Sequence, residues 1–207
     1  MKEIVRSTLR EIVKGALYLY CKIVYRMKII GRENIPKEGP IIVCGNHKSF
    51  LDPPLIMVTA KRKLIFLAKK ELTRSKFLAF LGWVFEVILV SKDEKDITTV
   101  KSSLKILKNG GCIALFPEGT RKGLEKGEKV KDGAAFFAVK TGVKVVPVGI
   151  SGGEKPFKKV YVNYGKPLDY SSYKGKKYAD SEEEKKELEK VTEEIMNAII
   201  MLTNVKD

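Results

Sequence analysis

The middle of the chain alternates short apolar runs with segments whose apolar residues recur at helical spacing. Short continuous apolar runs are typical of strands that are buried on both faces of a sheet. The runs predicted as strands are residues 41–45, 64–68, 86–90, 112–116 and 144–148. Residues 160–164 alternate in character, which favours a further strand at the edge of the sheet.

Helices are predicted between these strands. Pro53 and Pro54 are compatible with a first helical turn, and Asp52 is predicted as the N-cap of that helix. Ser181 and Glu184 are spaced as a capping box at the start of the last helix. Further helices are predicted over residues 94–108 and 134–141. This alternation predicts an α/β fold, a mixed and largely parallel sheet flanked by helices, in which ligands bind beyond the carboxyl ends of the strands.

The amino-terminal segment has the periodicity of an amphipathic helix. We divide the chain into this helix, residues 1–30, and a second unit, residues 31–207. Arg6, Arg10 and Lys14 form a basic stripe opposite the apolar face. Two interpretations stay open, a helix that packs on the domain core and a helix that lies in a membrane interface.

Another apolar segment, residues 77–90, is a second candidate for contact with a membrane. Its alternative is a helix and a strand of the core. Glu86 interrupts this segment, which is also shorter than the roughly 20 apolar residues of a spanning helix. We therefore expect no segment that crosses a bilayer.

Charge narrows the class of partner. The chain has 40 Lys and Arg against 25 Asp and Glu, a net charge of +15. This balance predicts an anionic partner, which could be nucleic acid, a phosphorylated ligand or an acidic membrane surface.

Cys21, Cys44 and Cys112 are too few and too scattered for a disulfide scaffold, and we expect reduced thiols. The one histidine excludes a His-rich metal site, and we expect neither a metal nor a cofactor.

Two polar motifs follow predicted strands directly. In the first, Asp52 lies five positions after His47. A carboxylate bonded to one imidazole nitrogen would leave the other free as a general base, although a lone histidine in a loop can also be structural. The second motif is Pro-Glu-Gly-Thr-Arg at residues 117–121. Its glycine, Gly119, allows close approach of a ligand, and Arg121 offers a planar fork for phosphate.

These motifs resemble two conserved blocks of the glycerolipid acyltransferases. The first is Asn-His-x-Ser-x-x-Asp at residues 46–52, which contains the H-x4-D motif, and the other is Phe-Pro-Glu-Gly-Thr-Arg at residues 116–121. Residues 68–72 and 145–148 resemble two further blocks, in the family's order. The member type most similar to this chain acylates 1-acyl-sn-glycerol-3-phosphate to give phosphatidic acid, a step of phospholipid biosynthesis.

The resemblance implies a reaction and a set of site residues. The donor would be acyl-CoA or acyl-carrier protein, and the acceptor would be lysophosphatidic acid at the cytoplasmic face of the cell membrane, with the enzyme bound as a peripheral or monotopic protein. His47 would be the base and Asp52 its partner, while Gly119 and Lys69 would support the oxyanion. The residues predicted to bind substrate phosphate are Glu118, Thr120, Arg121, Lys122 and Lys131.

Alternatives remain at this stage. Glycerol-3-phosphate or another lysophospholipid could be the acceptor. A non-enzymatic nucleic-acid-binding protein would also suit the net charge of +15. However, the aromatic residues fall in apolar runs instead of being interleaved with the basic ones. Steep salt-dependent binding to DNA without consumption of a thioester would favour this second class.

Overall fold

The computed structural model describes residues 2–90, 97–119, 121 and 130–205, without the side chains of Lys2, Lys69 and Leu72. The helices are α1 (Lys2–Val24), α2 (Asp52–Thr59), α3 (Lys76–Val84), α4 (Ile97–Lys108), α5 (Gly133–Thr141) and α6 (Ser181–Thr203). The strands are β1 (Lys28–Ile30), β2 (Ile41–Gly45), β3 (Ile65–Lys69), β4 (Ile88–Val90), β5 (Cys112–Leu115), β6 (Lys144–Gly152) and β7 (Val160–Tyr164).

The strands of the described residues form one sheet in the order β1-β7-β6-β2-β5-β3-β4. The pairs β2–β5, β2–β6, β3–β5, β3–β4 and β1–β7 are parallel, whereas β6 and β7 are antiparallel. This arrangement confirms the predicted mixed, largely parallel sheet with flanking helices. It also places the carboxyl ends of β3, β5, β2 and β6 along one edge, where the two polar motifs lie.

Two hydrophobic cores cover the two faces of the sheet. One contains α2 and the inner side of α1, including the buried Cys21 and Leu55. The other contains α5, α6 and the apolar side of α4, including Leu107 and Ile195. Burial of these side chains is the main favourable contribution to folding. All three cysteines are free and buried, and burial raises the pKa of the Cys44 thiol well above its usual value.

Three sequence predictions about local structure are wrong. The strand β7 is not at the edge, because the short strand β1, which was not predicted, pairs with its outer side. The carboxylate of Asp52 does not cap α2 but folds back on the preceding loop. The last helix is capped by Asp180, which accepts hydrogen bonds from the N–H groups of Glu182 and Glu183, rather than by Ser181. The error at α6 is a shift of one residue, whereas α2 has no side-chain cap.

The basic stripe of α1 faces the domain. The membrane-interface interpretation of this helix would instead place the stripe against anionic lipid headgroups. Glu86 accepts a hydrogen bond from Arg10 at 2.9 Å and one from Lys63 at 2.6 Å, and it pairs with Arg6 at 3.2 Å. Lys14 donates to the carbonyl of Ala60 at 3.3 Å. The polar side of the helix is therefore held against the protein.

The apolar stripe of α1 is left exposed by this arrangement. Ile12, Leu19 and Ile23 recur at helical spacing and are each about 60% exposed, at 63%, 59% and 60%. The neighbouring helix α3 also exposes Phe77 and Trp83. Contiguous exposed apolar surface of this kind marks a site of contact with a membrane or a partner. Among the helices of the described residues, none is long and apolar enough to cross a bilayer.

We expect Glu86→Gln to destabilise the protein at pH 7, because the change removes the charge that holds Arg6, Arg10 and Lys63 together. The expected loss in the free energy of unfolding is about 1–2 kcal/mol, between the values typical of exposed and buried ion pairs. Denaturant titration measures this loss. The control is Glu11→Gln, because Glu11 is exposed and contacts Arg10 only at 3.7 Å.

The effect of Glu86→Gln should depend on pH. Burial alone would raise the pKa of Glu86, but the hydrogen bond and charge of Lys63, together with Arg6 and Arg10, outweigh it and hold the pKa below its ordinary value of 4.5. A depressed carboxyl pKa stabilises the fold above the ordinary value, and this contribution is lost as the pH falls through the folded-state pKa. The two proteins should therefore converge in stability as the pH falls through the folded-state pKa of Glu86, which lies below 4.5. A constant difference down to that pH would contradict the ion-pair explanation.

Candidate active site

The site is built on the loop that follows β2. Asn46 is buried directly beyond the strand. Its side chain makes hydrogen bonds with β6 at the point where the backbone pairing of β2 with β6 ends. Its Nδ2 donates to the carbonyl of Ile150 at 2.9 Å, and its Oδ1 accepts from the N–H of Ile150 at 2.7 Å. These two bonds anchor the loop to β6 and fix the direction in which His47 leaves the sheet.

His47 and Asp52 are in contact, as their spacing predicted. The His47 Nδ1 and the Asp52 Oδ2 are 3.0 Å apart, with the two side chains 17% and 4% exposed. The same Oδ2 accepts from the N–H groups of Lys48 at 2.6 Å and Ser49 at 2.7 Å. These two N–H groups fix the orientation of the carboxylate beside the imidazole. A carboxylate can only accept, so the neutral imidazole carries its proton on Nδ1.

The other ring nitrogen of His47, Nε2, makes no hydrogen bond with any residue that the structure describes. The ring stacks on Phe116 with centroids 4.3 Å apart and planes at 23°. Phe116 follows β5, so the imidazole lies between the ends of two neighbouring strands. A histidine that is oriented on one side and open on the other has the geometry of a general base.

The second motif supports this loop from β5. Glu118 is 5% exposed, and its Oε1 accepts a hydrogen bond from the backbone N–H of His47 at 2.9 Å. Glu118 is one of the residues predicted to bind phosphate. A buried carboxylate would repel a phosphate, and this one already accepts from the loop. The hydrogen bond from His47 shows that Glu118 holds the catalytic loop, and its part in phosphate binding stays a prediction.

Gly119 has a role in the backbone turn. Its φ of 66° is in the left-handed region that favours glycine. Its N–H donates to the carbonyl of Phe116 at 3.0 Å. The turn uses this N–H in the present conformation, and support of an oxyanion by the backbone near Gly119 stays a prediction. A Cβ atom built at position 119 would lie 3.0 Å from the Cε atom of Lys131. The side chain of Lys131, which is predicted to bind substrate phosphate, therefore lies beside the second motif.

Arg121 is exposed and lies beside the loop of His47. Its guanidinium carbon is 3.5 Å from the ring centroid of Phe50, a cation–π contact. The side chain of Lys69, and Thr120 and Lys122 altogether, lie outside the described part of the chain. The backbone of Lys69 ends β3, at the same edge of the sheet as the two motifs.

Sequence reasoning assigned no role to Asn46, Phe50 and Phe116, and it did not predict the contact between Glu118 and His47. Asn46 carried a signal, since an amide directly after a fully apolar strand needs partners for its donor and acceptor. No signal in the sequence indicated the contact between Glu118 and His47, because it depends on β2 and β5 being neighbours.

The comparisons with known proteins agree with this geometry. A model of the Acyltransferase family matches residues 26–151. The chain therefore belongs to the Acyltransferase family.

Individual relatives are similar over part of their length. The chain is 33% identical over 124 residues to a 1-acyl-sn-glycerol-3-phosphate acyltransferase of Borreliella burgdorferi, covering 58% of this chain and 49% of that protein. It is 26% identical over 153 residues to the protein of that name in Bacillus subtilis, covering 71% and 76%. The chain spans about half the length of the Borreliella relative, and 37% of a chloroplastic relative of Arabidopsis thaliana that is 31% identical over 63% of this chain.

A solved structure extends the likeness to the whole chain. The 1-acyl-sn-glycerophosphate (LPA) acyltransferase PlsC of Thermotoga maritima matches with a TM-score of 0.66 and 27% identity. The match covers 100% of this chain and 85% of that one. The likeness therefore includes the amino-terminal helix and the last helix, which the family model does not reach.

Proposed function

We propose that this protein transfers an acyl chain from a thioester donor to the sn-2 hydroxyl of 1-acyl-glycerol-3-phosphate. The observation that supports this proposal best is the His47 imidazole, which is bonded to Asp52 through Nδ1 and leaves Nε2 open. The names of the relatives support the choice of acceptor. A thioester donor is proposed because its carbonyl is reactive enough for direct attack by an activated hydroxyl.

In this mechanism, His47 Nε2 removes the proton of the acceptor hydroxyl as that oxygen attacks the thioester carbonyl. Asp52 stabilises the imidazolium that forms. When the tetrahedral intermediate collapses, the carbon–sulfur bond breaks and His47 returns the proton to the departing thiolate. General base catalysis of this kind contributes about 100- to 10,000-fold. We propose Lys69, at the end of β3, as the group that meets the negative charge on the carbonyl oxygen.

Product analysis tests the reaction itself. Purified protein is offered acyl-CoA and acyl-carrier protein, each with lysophosphatidic acid, glycerol-3-phosphate or lysophosphatidylcholine, and the lipid products are identified by mass spectrometry. We expect phosphatidic acid from the first acceptor. Preferential use of glycerol-3-phosphate would favour the alternative acceptor, and no consumption of any thioester would contradict the enzyme function.

Arg121 is the residue that we propose to bind the phosphate of the acceptor, with Lys122, Lys131 and the hydroxyl of Thr120 as secondary contacts. Its guanidinium is placed beside the catalytic loop by Phe50. Arg121→Lys keeps the charge but loses the two-point contact. We expect the KM for lysophosphatidic acid to rise about 10-fold or more, as loss of a charged hydrogen bond implies.

The matched control for this change is Lys166→Arg, which alters a basic side chain away from the site. The KM for the donor should change less than twofold in Arg121→Lys. An equal rise for both substrates would indicate that Arg121 is structural, and an unchanged acceptor KM would remove it from the phosphate site.

We also propose that the exposed apolar stripe of α1 and the apolar side chains of α3 bind the membrane that holds the acceptor, at its cytoplasmic face. The chain would then be a peripheral or monotopic protein, with residues 1–30 as the anchor of the catalytic unit. The outward position of Ile12, Leu19 and Ile23 supports this function.

A further inference from the structure

An open cavity of about 670 Å³ lies beside the catalytic loop and is distinct from the phosphate site proposed for Arg121. Four lysines line it, Lys48, Lys155, Lys158 and Lys159. All four are exposed, and within the described residues none of their ammonium groups makes an ion pair or a hydrogen bond. Glu154 is the acidic residue of the lining, so the charge of the lining is positive and favours binding of an anion.

The sheet explains why this cavity adjoins the active site. Ser151 and Gly152 form part of its lining at the carboxyl end of β6, which pairs with β2. Ser151 directly follows Ile150, which holds the catalytic loop through Asn46, and Lys48 directly follows His47. The cavity therefore lies on the β6 side of His47. Glu118 and Gly119 lie on the opposite, β5 side.

The size and charge of the cavity indicate the kind of anion. A volume of about 670 Å³ is within the range of about 300–1,000 Å³ that is typical of small-molecule sites. It is much larger than one phosphate group requires. Ser151 is buried, and its hydroxyl has no partner among the described residues, so it offers one more hydrogen-bonding group in the lining.

We propose that this lysine-lined cavity binds the 3′-phospho-ADP end of acyl-CoA, so that the thioester extends from it towards His47. This inference rests on the proposed acyltransferase function. The diphosphate and the 3′-phosphate of CoA together carry about three to four negative charges at pH 7, which matches the number of lysines. The acceptor has a single phosphate monoester, which needs neither this volume nor this charge. A concave site also fits a nucleotide better than the surface of an acidic carrier protein.

The test compares two triple variants that remove the same charge. The first is Lys155→Gln/Lys158→Gln/Lys159→Gln. The control is Lys177→Gln/Lys185→Gln/Lys186→Gln, whose lysines are exposed near the start of α6, whereas the cavity contacts Thr203 and Asn204 at its end. The 23-residue helix separates the two sets by roughly 30 Å. Lys48 is left unchanged because it belongs to the catalytic loop and directly follows His47.

Calorimetry with CoA alone gives a measurement that does not depend on activity. We expect the Kd for CoA and the KM for acyl-CoA to rise at least 10-fold in the first variant and less than twofold in the control. The KM for lysophosphatidic acid should stay within twofold in both. Equal weakening in the two variants would overturn the site, and so would a rise confined to lysophosphatidic acid or to acyl-carrier protein. Absence of CoA binding to the wild-type protein would overturn it as well.

These outcomes are distinguishable from failure of the proposed function. If the wild-type protein forms phosphatidic acid but the first variant binds CoA normally, only the cavity assignment is wrong. If the wild-type protein consumes no thioester with any acceptor, the proposed reaction is wrong whatever the calorimetry reports.

Discussion

His47→Ala is expected to lower the rate of acyl transfer by at least about 100-fold, and by up to about 10,000-fold, because it removes the proposed general base. This loss should appear in the turnover number measured at saturating donor and acceptor. Far-ultraviolet circular dichroism and thermal unfolding should show an intact fold, since the ring is partly exposed and its loop is also held by Asn46 and Glu118. Near wild-type turnover by folded His47→Ala would remove the base from the mechanism.

Asp52→Asn provides a second measurement of the same mechanism. An amide cannot stabilise an imidazolium as a carboxylate does, and its NH2 group can reverse the hydrogen bond to Nδ1. We expect turnover to fall about 100-fold or more. Because Asp52 also accepts from the N–H groups of Lys48 and Ser49, this variant is expected to be less stable as well.

The chain has a single histidine, so nuclear magnetic resonance of selectively ¹⁵N-labelled histidine observes the site directly. The neutral wild-type ring is expected to carry its proton on Nδ1, because Asp52 accepts it. Asp52→Asn should shift the population towards the other tautomer. A wild-type ring that carries its proton on Nε2 would contradict the arrangement proposed here, independently of any assay of activity.

The parts of the site that could be predicted from the sequence are those within one loop. His47 and Asp52 are five positions apart, so the loop itself brings them together, and their contact followed from the spacing. The contacts between separate strands could not be predicted in this way. Glu118 reaches His47 only because β5 pairs with β2, and Asn46 finds Ile150 only because β6 pairs on the other side.

The fold shows the same division. The apolar runs predicted most of the strands, because complete burial leaves a clear pattern in the sequence. The strand β1 has only three residues, too few to produce such a pattern, and its pairing with β7 spans more than 130 positions of the chain. Its presence moved β7 from the edge to the interior of the sheet.

The orientation of α1 is a further property that its own sequence could not decide. An amphipathic pattern defines two faces but does not say which one meets the protein. Here Glu86, more than 70 positions away, draws Arg6 and Arg10 inwards. This contact changes the physical basis expected for membrane binding from attraction between basic residues and headgroups to insertion of apolar side chains.

We therefore expect Ile12→Gln/Leu19→Gln/Ile23→Gln to release the protein from liposomes. Each side chain contributes about 1 kcal/mol or more to insertion, so the triple change should weaken partitioning about 100-fold or more. Cosedimentation with vesicles of phosphatidylcholine and phosphatidylglycerol measures this effect. Deleting residues 1–28 is a poorer test, because the buried Cys21 and Met27 belong to the core.

The matched control is Ile97→Gln/Ile200→Gln/Met201→Gln, which changes three exposed apolar residues on α4 and α6, the helices that cover the other face of the sheet. This variant should sediment with vesicles as the wild-type protein does. Because Arg6, Arg10 and Lys14 are engaged by the domain, raising the salt concentration should weaken binding only slightly. Equal loss in both variants would indicate nonspecific adsorption. Steep salt dependence, together with unchanged vesicle binding by the α1 variant, would instead show that electrostatic attraction holds the protein on the vesicles.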